Sequence, residues 1–309
     1  MNNKKYIIGI DLGGTNLKLA LLSVKYKIIT KKILSTKKFK SSRELTHAIV
    51  SSVDELIRAR RIKKTRIAGL GIGLPGPVDA RTGIVRFLPN IPGWRNIRLG
   101  EILTRRLKLP VFIDNDANLF TLAEYRLGAG KGLRNIVGIT LGTGVGGGLI
   151  IEGRLYRGES FAAGEAGHIP ILLQGRPCNC GGRGCLEAYV GNKRILSWAE
   201  KVFKKRINLE ELSNLAARGE HKAIRIWQSV GYLIGSALTG VINLLNPDAL
   251  VIGGGVSNSG RVLFNSIRNF IKKNAMAPQA RQVVILKSKF KDDAGLIGAA
   301  ILVRECKLI

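Results

Sequence analysis

The sequence predicts an α/β fold built on a repeated strand, glycine turn, strand unit. Ile8–Thr15 reads I-G-I-D-L-G-G-T and Val137–Gly144 reads V-G-I-T-L-G-T-G, 129 positions apart. In each, an apolar strand leads to L-G and a small polar turn, and a second apolar strand follows. Self-similarity of this kind marks a duplicated supersecondary unit. Strand-length apolar runs alternate with segments of helical period elsewhere in the chain. A length of 309 residues suggests about two domains.

Composition is globular, 45% hydrophobic with no low-complexity tract. The 38 glycines cluster in a few runs, as backbone-built binding loops require. Apolar runs such as Ile7–Ile10 are of strand length, so no membrane span is expected, and Met1–Tyr6 lead into no signal-type apolar region. Four cysteines, three of them bunched, suit metal binding in a reducing cytoplasm better than a disulfide framework. The formal charge is +29. Its basic residues are spread along the chain (Lys31-Lys32, Lys37-Lys38, Arg58 to Lys64, Lys204 to Arg206), and no zinc-finger, homeodomain or aromatic-interleaved pattern accompanies them. The charge therefore reads as a solvated surface, and nucleic acid is not expected as a partner.

In chain order, Lys5–Ile10 is a strand ending in D-L-G-G-T-N at Asp11–Asn16, and Leu17–Leu22 is its hairpin partner. Gly13 and Gly14 let turn N–H groups approach an anion closely. Asp11 repels phosphate but suits the water shell of a phosphate-bound magnesium ion, and Lys18 adds positive charge nearby. Lys27–Lys37 is a third strand. Ser42–Arg61 is an amphipathic helix, with Leu45, Ile49, Val53, Leu56 and Ile57 at helical spacing and Ser41 or Ser42 as N-cap. Arg66–Ile72 is a strand, Thr82–Trp94 a loop carrying Asn90 among prolines, and Ile97–Leu107 a helix.

Val111–Ile113 is a buried strand that delivers D-N-D-A-N, Asp114–Asn118, ahead of a helix at Leu119–Leu127. Ligands of open α/β sheets sit beyond the C-terminal ends of strands, so Asp116 is placed to reach a substrate. Asn135–Ile151 is the second glycine hairpin. Its G-x-G-x-x-G spacing (Gly142, Gly144, Gly147) is followed by a strand rather than a helix, which removes a dinucleotide fingerprint. Later elements are helices at Leu186–Lys205, Leu209–Arg218 and Lys222–Leu245, and a strand at Ala249–Ile252. That strand leads to the bare-backbone loop Gly253–Ser257. A helix at Val262–Lys273, a strand at Val283–Leu286 and a small-residue helix at Ala294–Arg304 complete the chain.

Gly164–Glu187 stands apart. It holds Cys178, Cys180 and Cys185, and His168 precedes the first of them by ten positions. Three thiolates and an imidazole are a complete tetrahedral set for a structural zinc. Glu165 and Glu187 bracket it.

Together these pieces resemble the ROK family (repressors, open reading frames and kinases), in particular its sugar kinases. The matching pieces are D-L-G-G-T-N-L-K at Asp11, L-P-N-I-P-G-W at Leu88, N-D-A-N at Asn115 and L-G-T-G-V-G-G-G at Leu141. G-E-A-G-H at Gly164, C-N-C-G-G-R-G-C-L-E at Cys178 and I-G-G-G-V-S at Ile252 follow in family order. The resemblance implies two actin-like (RNase H-like) α/β domains with a cleft between them. The smaller would take residues 1–116 plus 297–309, and the larger 117–296 with its zinc loop at 164–187. ATP with magnesium would lie against Asp11, Gly13, Gly14, Thr15, Lys18, Gly142, Thr143, Gly144, Gly254 and Gly255. The sugar would meet Asn90, Asn115, Asp116, Glu165, His168 and Glu187, and zinc would bind His168, Cys178, Cys180 and Cys185. A homodimer is what the family suggests.

The implied reaction is ATP-dependent phosphorylation of a hexose, glucose first, with Asp116 as general base, a role worth about 10²–10⁴-fold. Positioning and charge stabilisation of the γ-phosphoryl would supply most of the rest. N-acetylglucosamine, N-acetylmannosamine, fructose and allose are the alternative acceptors, and polyphosphate is the alternative donor. A sugar-responsive regulator is the non-enzyme alternative. It is disfavoured here because the first hairpin begins at Tyr6, which leaves no room for a helix-turn-helix domain.

Overall fold

The computed structural model describes residues 4–88 and 93–306. The chain opens with β1 (Tyr6–Leu12), β2 (Asn16–Ser23), β3 (Ile28–Ser35), α1 (Ser42–Ala59) and β4 (Ile67–Leu74). Three short strands follow, β5 (Val78–Asp79), β6 (Ile84–Phe87) and β7 (Arg95–Ile97), then α2 (Leu99–Leu107), β8 (Val111–Asn115) and α3 (Asp116–Leu127). The second hairpin is β9 (Ile136–Leu141) and β10 (Val145–Ile151), followed by β11 (Arg154–Tyr156). Next come α4 (Glu187–Val190), α5 (Asn192–Phe203), α6 (Leu209–Ala217), α7 (His221–Leu245) and β12 (Ala249–Gly253). The last elements are α8 (Arg261–Asn274), α9 (Ala277–Gln282), β13 (Val284–Lys287) and α10 (Ala294–Glu305). The chain forms two compact units: Met1–Arg126 with Leu155–Ala163 and Asp292–Ile309, and Leu127–Arg154 with Gly164–Lys291.

The duplication is visible in the topology. Unit 1 is built on the sheet β3-β2-β1-β4-β8 and unit 2 on β11-β10-β9-β12-β13. In both, a hairpin pairs antiparallel (β1 with β2, β9 with β10) and its first strand then pairs parallel with the next strand inward (β1 with β4, β9 with β12).

In unit 1 one sheet face buries Ile8, Ile10, Leu19 and Leu21 against Ile49 and Val53 of α1 and Leu103 of α2. The other face is lined by glycines where α10 crosses. A Cβ at Gly9 or Gly71 would collide with the Leu296 or Ala299 carbonyl. Gly298 in turn lies against the Leu119 backbone of α3. Because α10 and α3 pack together on this sheet, unit 1 keeps α3 through Arg126 and the chain from Asp292. The divisions at 116 and 297 expected from the sequence fall elsewhere. Unit 2 buries Val137, Ile139, Leu250 and Ile252 against Ile226, Trp227, Val230 and Ile234 of α7. Among the described residues α7 is the helix long and apolar enough to cross a membrane, but that apolar stripe faces the unit 2 core.

Several elements differ from the sequence reading, each for a local reason. Thr82–Trp94 is not all loop, because β6 pairs with β5 and β7 in a small antiparallel sheet. Four residues with one fully buried side chain, Val85, are too few to show a strand period. Ile97 belongs to that sheet, so α2 begins at Leu99. The helix expected from Leu119 starts at Asp116, because the Asn115 side chain caps it: Oδ1 accepts from the N–H groups of Ala117 (2.9 Å) and Asn118 (3.2 Å). The single helix expected at Leu186–Lys205 is broken at Gly191, whose extended backbone lies against the Thr143 carbonyl. N-caps fall at Ser41 for α1 and Asn208 for α6.

Candidate active site

In unit 1 the first hairpin pairs Asp11 with Lys18 across its mouth. Lys18 Nζ lies 4.0 Å from Asp11 Oδ2 and donates to the Asp292 carbonyl at 3.0 Å. Thr36 ties back two turn carbonyls, its hydroxyl to Gly13 (3.1 Å) and its N–H to Thr15 (2.9 Å), while Gly14 and Thr15 stay exposed. Burial raises the Asp11 carboxyl above its ordinary value, Lys18 opposes the rise and Asp292 adds to it. The carboxyl rests on the first turn of α10, where a Cβ at Gly295 would lie 2.6 Å from Asp11 Cγ.

Parallel pairing sets Asp11 beside Gly73 and Gly73 beside Asp114, so three strands end in one row. At the end of β8 the three polar residues take different duties. Asp114 is buried, and its Oδ2 accepts from Arg157 Nε (2.8 Å) and Nη2 (2.7 Å). Its Oδ1 accepts from Asn118 Nδ2 (2.9 Å) and the Asn115 N–H (2.8 Å). Asn115 caps α3 and gives one Nδ2 hydrogen to the Gly76 carbonyl at 3.2 Å. Asp116 is partly exposed, accepts from the Ala117 N–H at 2.8 Å, and stands over Gly73. Asn90 lies outside the described residues.

In unit 2 the second hairpin turns through Gly142, Thr143 and Gly144. Register places Gly253 beside Thr140, so the Gly254–Gly255 loop adjoins this turn. Gly254 has φ 83°, and a Cβ there would collide with the Leu141 carbonyl. Cβ atoms at Gly142 and Gly255 would meet open space. Glu187 Oε2 accepts from the Val145 N–H at 2.8 Å and lies 2.5 Å from where a Gly144 Cβ would be. One carboxylate thereby joins the glycine turn to the cysteine-rich segment.

G-E-A-G-H is seated on β10 by its glycines: Gly164 packs against Gly147, and Gly167 against the Val145 carbonyl. That seating presents Glu165 and His168. Partial burial raises the Glu165 carboxyl, His168 opposes the rise and Glu187 adds to it. His168 uses both ring nitrogens, Nε2 lying 3.9 Å from Glu165 Oε2 and Nδ1 lying 3.6 Å from Cys178 Sγ. Cys180 Sγ lies 3.7 Å from Cys185 Sγ, and all four ligand atoms fall within 4.8 Å of one another. Tetrahedral bonds of about 2.3 Å to sulfur and about 2.0 Å to nitrogen set ligand atoms about 3.5–3.8 Å apart, so the set fits one tetrahedral cation. Burial pushes the Cys185 thiol up to about 12, which a bound cation would reverse.

Sequence reasoning missed Arg157, Gly76, Gly295 and Val145. Their contacts span long separations or use backbone atoms. Only the small-residue run opening α10 carried any signal.

The ROK family model matches residues 7–306. The chain is similar to a glucokinase of Thermotoga maritima, 34% identical over 98% of each chain. It is also similar to the solved ROK family glucokinase from Streptomyces griseus in complex with glucose and AMPPNP. Identity there is 30%, the TM-score is 0.85, and 97% of this chain and 99% of that one are covered. A ROK family transcriptional regulator, homolog of E. coli MLC, matches with a TM-score of 0.90 at 27% identity, covering 98% of this chain and 79% of that one. The fold is accordingly that of two actin-like (RNase H-like) α/β domains. A match running from the first strand to the last helix makes this chain a member of the ROK family.

Proposed function

We propose that this protein transfers the γ-phosphoryl group of ATP to a hexose, glucose first among the candidates, with Asp116 as general base. The observation that carries the reading is the division of duties after β8. Asp114 is buried and saturated and Asn115 is a cap, while Asp116 holds a partly exposed carboxylate at the strand's C-terminal end. A sugar hydroxyl attacks the γ-phosphorus, Asp116 takes its proton, the bond to the β–γ bridging oxygen breaks, and ADP leaves. Glu165 and Glu187 suit sugar hydroxyls as acceptors, while His168, with Nδ1 on the cation, offers an Nε2–H donor, and the second Nδ2 hydrogen of Asn115 is another; Asn90 joins them. Gly13 to Thr15, Lys18, Gly142 to Gly144, Gly254 and Gly255 suit the nucleotide. Asp11 suits the water shell of magnesium, which would neutralise phosphate charge when bound with ATP. Zinc is the cation assigned to His168, Cys178, Cys180 and Cys185. All four positions are protein ligands, so its role is structural.

Glucose is placed first on the similarity to the Thermotoga maritima glucokinase and to the Streptomyces griseus enzyme solved with glucose. A cytoplasmic homodimer completes the reading, with light scattering as the check on assembly. The deciding experiment is a coupled ADP-release assay with glucose, fructose, allose, N-acetylglucosamine and N-acetylmannosamine, with ATP or polyphosphate as donor. Asp116→Asn is expected to bind glucose and ATP normally and lose about 10²–10⁴-fold in kcat. Retained turnover removes Asp116 from the role. The likeness to a regulator favours a second reading, in which the chain senses a sugar without phosphorylating it. Sugar binding with no ADP release from any acceptor would establish that reading instead.

A further inference from the structure

We propose that the end of unit 1 opposite its candidate catalytic residues is a docking surface for the phosphodiester backbone of a nucleic acid, engaged without base specificity. Basic residues far apart in sequence are collected there by the topology. Strands β1, β4 and β8 run parallel, so their starts share one edge of the sheet and Asp11, Gly73 and Asp114 share the other. Lys4 and Lys5 precede β1, and Arg66 precedes β4 with its carbonyl bonded to the Lys5 N–H at 2.8 Å. The β2–β3 turn returns to the same edge, because Ser23 pairs with Tyr6, and it brings Lys25 and Lys27.

The helices add to this edge. α1 ends there with Arg58, Arg60 and Arg61, followed by Lys63 and Lys64. α2 ends there with Arg105, Arg106 and Lys108, and the two ends meet where Lys64 Nζ lies 3.5 Å from the Leu107 carbonyl. α10 ends there too, Arg304 donating to the Val24 carbonyl at 3.1 Å. All of these basic residues are exposed except Arg66, which is half-buried.

Two ordinary explanations for such charge fall short. The nearby carboxylates include Asp54, Glu55, Glu101 and Glu305, and each already has a partner in Lys64, Lys32, Arg105 or Arg126. Among the described residues Lys5, Lys25, Arg61, Lys63, Arg106 and Lys108 have no carboxylate within ion-pair distance. Four helix C-termini, those of α1, α2, α3 and α10, point this way, but about −0.5 charge each offsets only about two of the cations. What is left is a field of one sign, which concentrates a polyanion.

A nucleic acid fits better than a lipid surface. Among the described residues the large exposed apolar side chains, such as Phe87, Tyr156, Leu173 and Leu244, lie elsewhere, so none of them is available at this edge for insertion into a bilayer. Cations fixed along strand starts and helix ends suit a regular row of phosphates, which contact by charge and carry no sequence information.

The test uses the full chain and a short fluorescein-labelled duplex of random sequence, read by anisotropy. Parallel arms contain inorganic polyphosphate and phosphatidylserine vesicles. Micromolar binding is expected near 50 mM salt, weakening about 10³-fold by 200 mM if about six phosphates are neutralised. A variant with Arg61→Gln, Lys63→Gln, Arg106→Gln and Lys108→Gln should bind the duplex at least about tenfold more weakly, with a salt slope shallower by about 0.9 for each phosphate no longer neutralised. A control with Lys201→Gln, Lys205→Gln, Arg206→Gln and Arg218→Gln, equal in charge but placed on unit 2, should stay within about twofold. Both variants should keep the parent Tm and sugar-dependent ADP release. Equal losses in the two variants would make net charge the cause and overturn the proposal. So would no duplex binding at low salt, or tighter binding to vesicles or polyphosphate than to the duplex.

Discussion

Arg157 grips one oxygen of the Asp114 carboxylate twice, from Nε at 2.8 Å and Nη2 at 2.7 Å. The other oxygen holds Asn118 and the Asn115 N–H, so a residue from Leu155–Ala163 fixes the turn that presents Asp116. Arg157→Met would leave a buried carboxylate unpaired, and a loss of about 3–5 kcal/mol is expected in chemical denaturation. Adding Asp114→Asn should recover most of that stability. Arg157→Lys keeps the charge but not the fork. Its kcat should fall further than its sugar KM rises, since the proposed base Asp116 is displaced while the other proposed sugar ligands remain. A change in KM alone would make Arg157 structural only.

Glu187 links a glycine turn to the cysteine-rich segment, and Gly144 leaves the space for it. In Gly144→Ala the new Cβ sits 2.5 Å from Glu187 Oε2, so the carboxylate must leave the Val145 N–H. An unpaired buried N–H costs about 1–3 kcal/mol. Kinetics should show both the sugar KM and the ATP KM rising, by roughly five- to 150-fold on that energy. Gly142→Ala, which meets nothing within 4 Å, should alter the ATP KM only. An unchanged sugar KM in Gly144→Ala would detach Glu187 from the sugar.

What the sequence disclosed was local. The two hairpins and the Cys3His set each lie within a few dozen residues, so spacing alone displays them. Asp116 was legible as a carboxylate at a strand end, but the duties of its neighbours were not. Arg157 is 43 positions from Asp114 and stands in no motif. The seat of Asp11 on α10 joins the two ends of the chain through a missing Cβ at Gly295, of which the small-residue run opening α10 was the one sign. The basic edge was invisible for the same reason. Spread along the chain, its residues look like general surface charge, and only parallel pairing of β1, β4 and β8 brings them together.

Asp11 is stable when neutral and is proposed to work when charged. Burial raises its folded pKa above the ordinary 3.8, more than Lys18 lowers it. Below the unfolded value both states are protonated and Asp11 is neutral in the balance. As pH rises toward the folded value the unfolded chain ionises first, so stability is lost, and above both values the loss is constant. Asp11→Asn should therefore raise Tm at pH 7 and leave it unchanged below pH 3.8, measured by calorimetry without nucleotide. The same variant should lose magnesium-dependent turnover. A lower Tm at pH 7 would mean that the contacts of Asp11 with Lys18 and α10 outweigh its burial.

Removal of the cation tests whether the cysteine-rich segment is a scaffold or a bystander. The internal supports of the segment are backbone hydrogen bonds of short turns and bridges, among them the Cys178 N–H to the Gly182 carbonyl at 2.9 Å, Gly184 to Arg176 at 2.8 Å, and Ile171 to Gly184 at 2.9 Å. Leu186 is buried and Ile169 and Ile171 pack on the unit 2 core, but Leu172 and Leu173, between His168 and the cysteines, are exposed, so apolar burial anchors the ends of the segment rather than its middle. Structural zinc sites contribute about 10–16 kcal/mol in peptides, enough to hold such a loop. Elemental analysis should find one zinc per chain. Chelation followed by restored magnesium should raise the sugar KM at least about tenfold, as disturbed metal shells typically do. The ATP KM should change less, because Gly254, Gly255 and the first hairpin lie outside the segment. Cys185→Ser should act like the chelator, and zinc should rescue the chelated parent but not this variant. Asp116→Asn should still hold its zinc, because that carboxylate belongs to unit 1. Full sugar affinity in zinc-free protein would leave Glu165 and His168 positioned by β10 alone, through Gly164 and Gly167, and would assign the cysteines no part in holding the sugar.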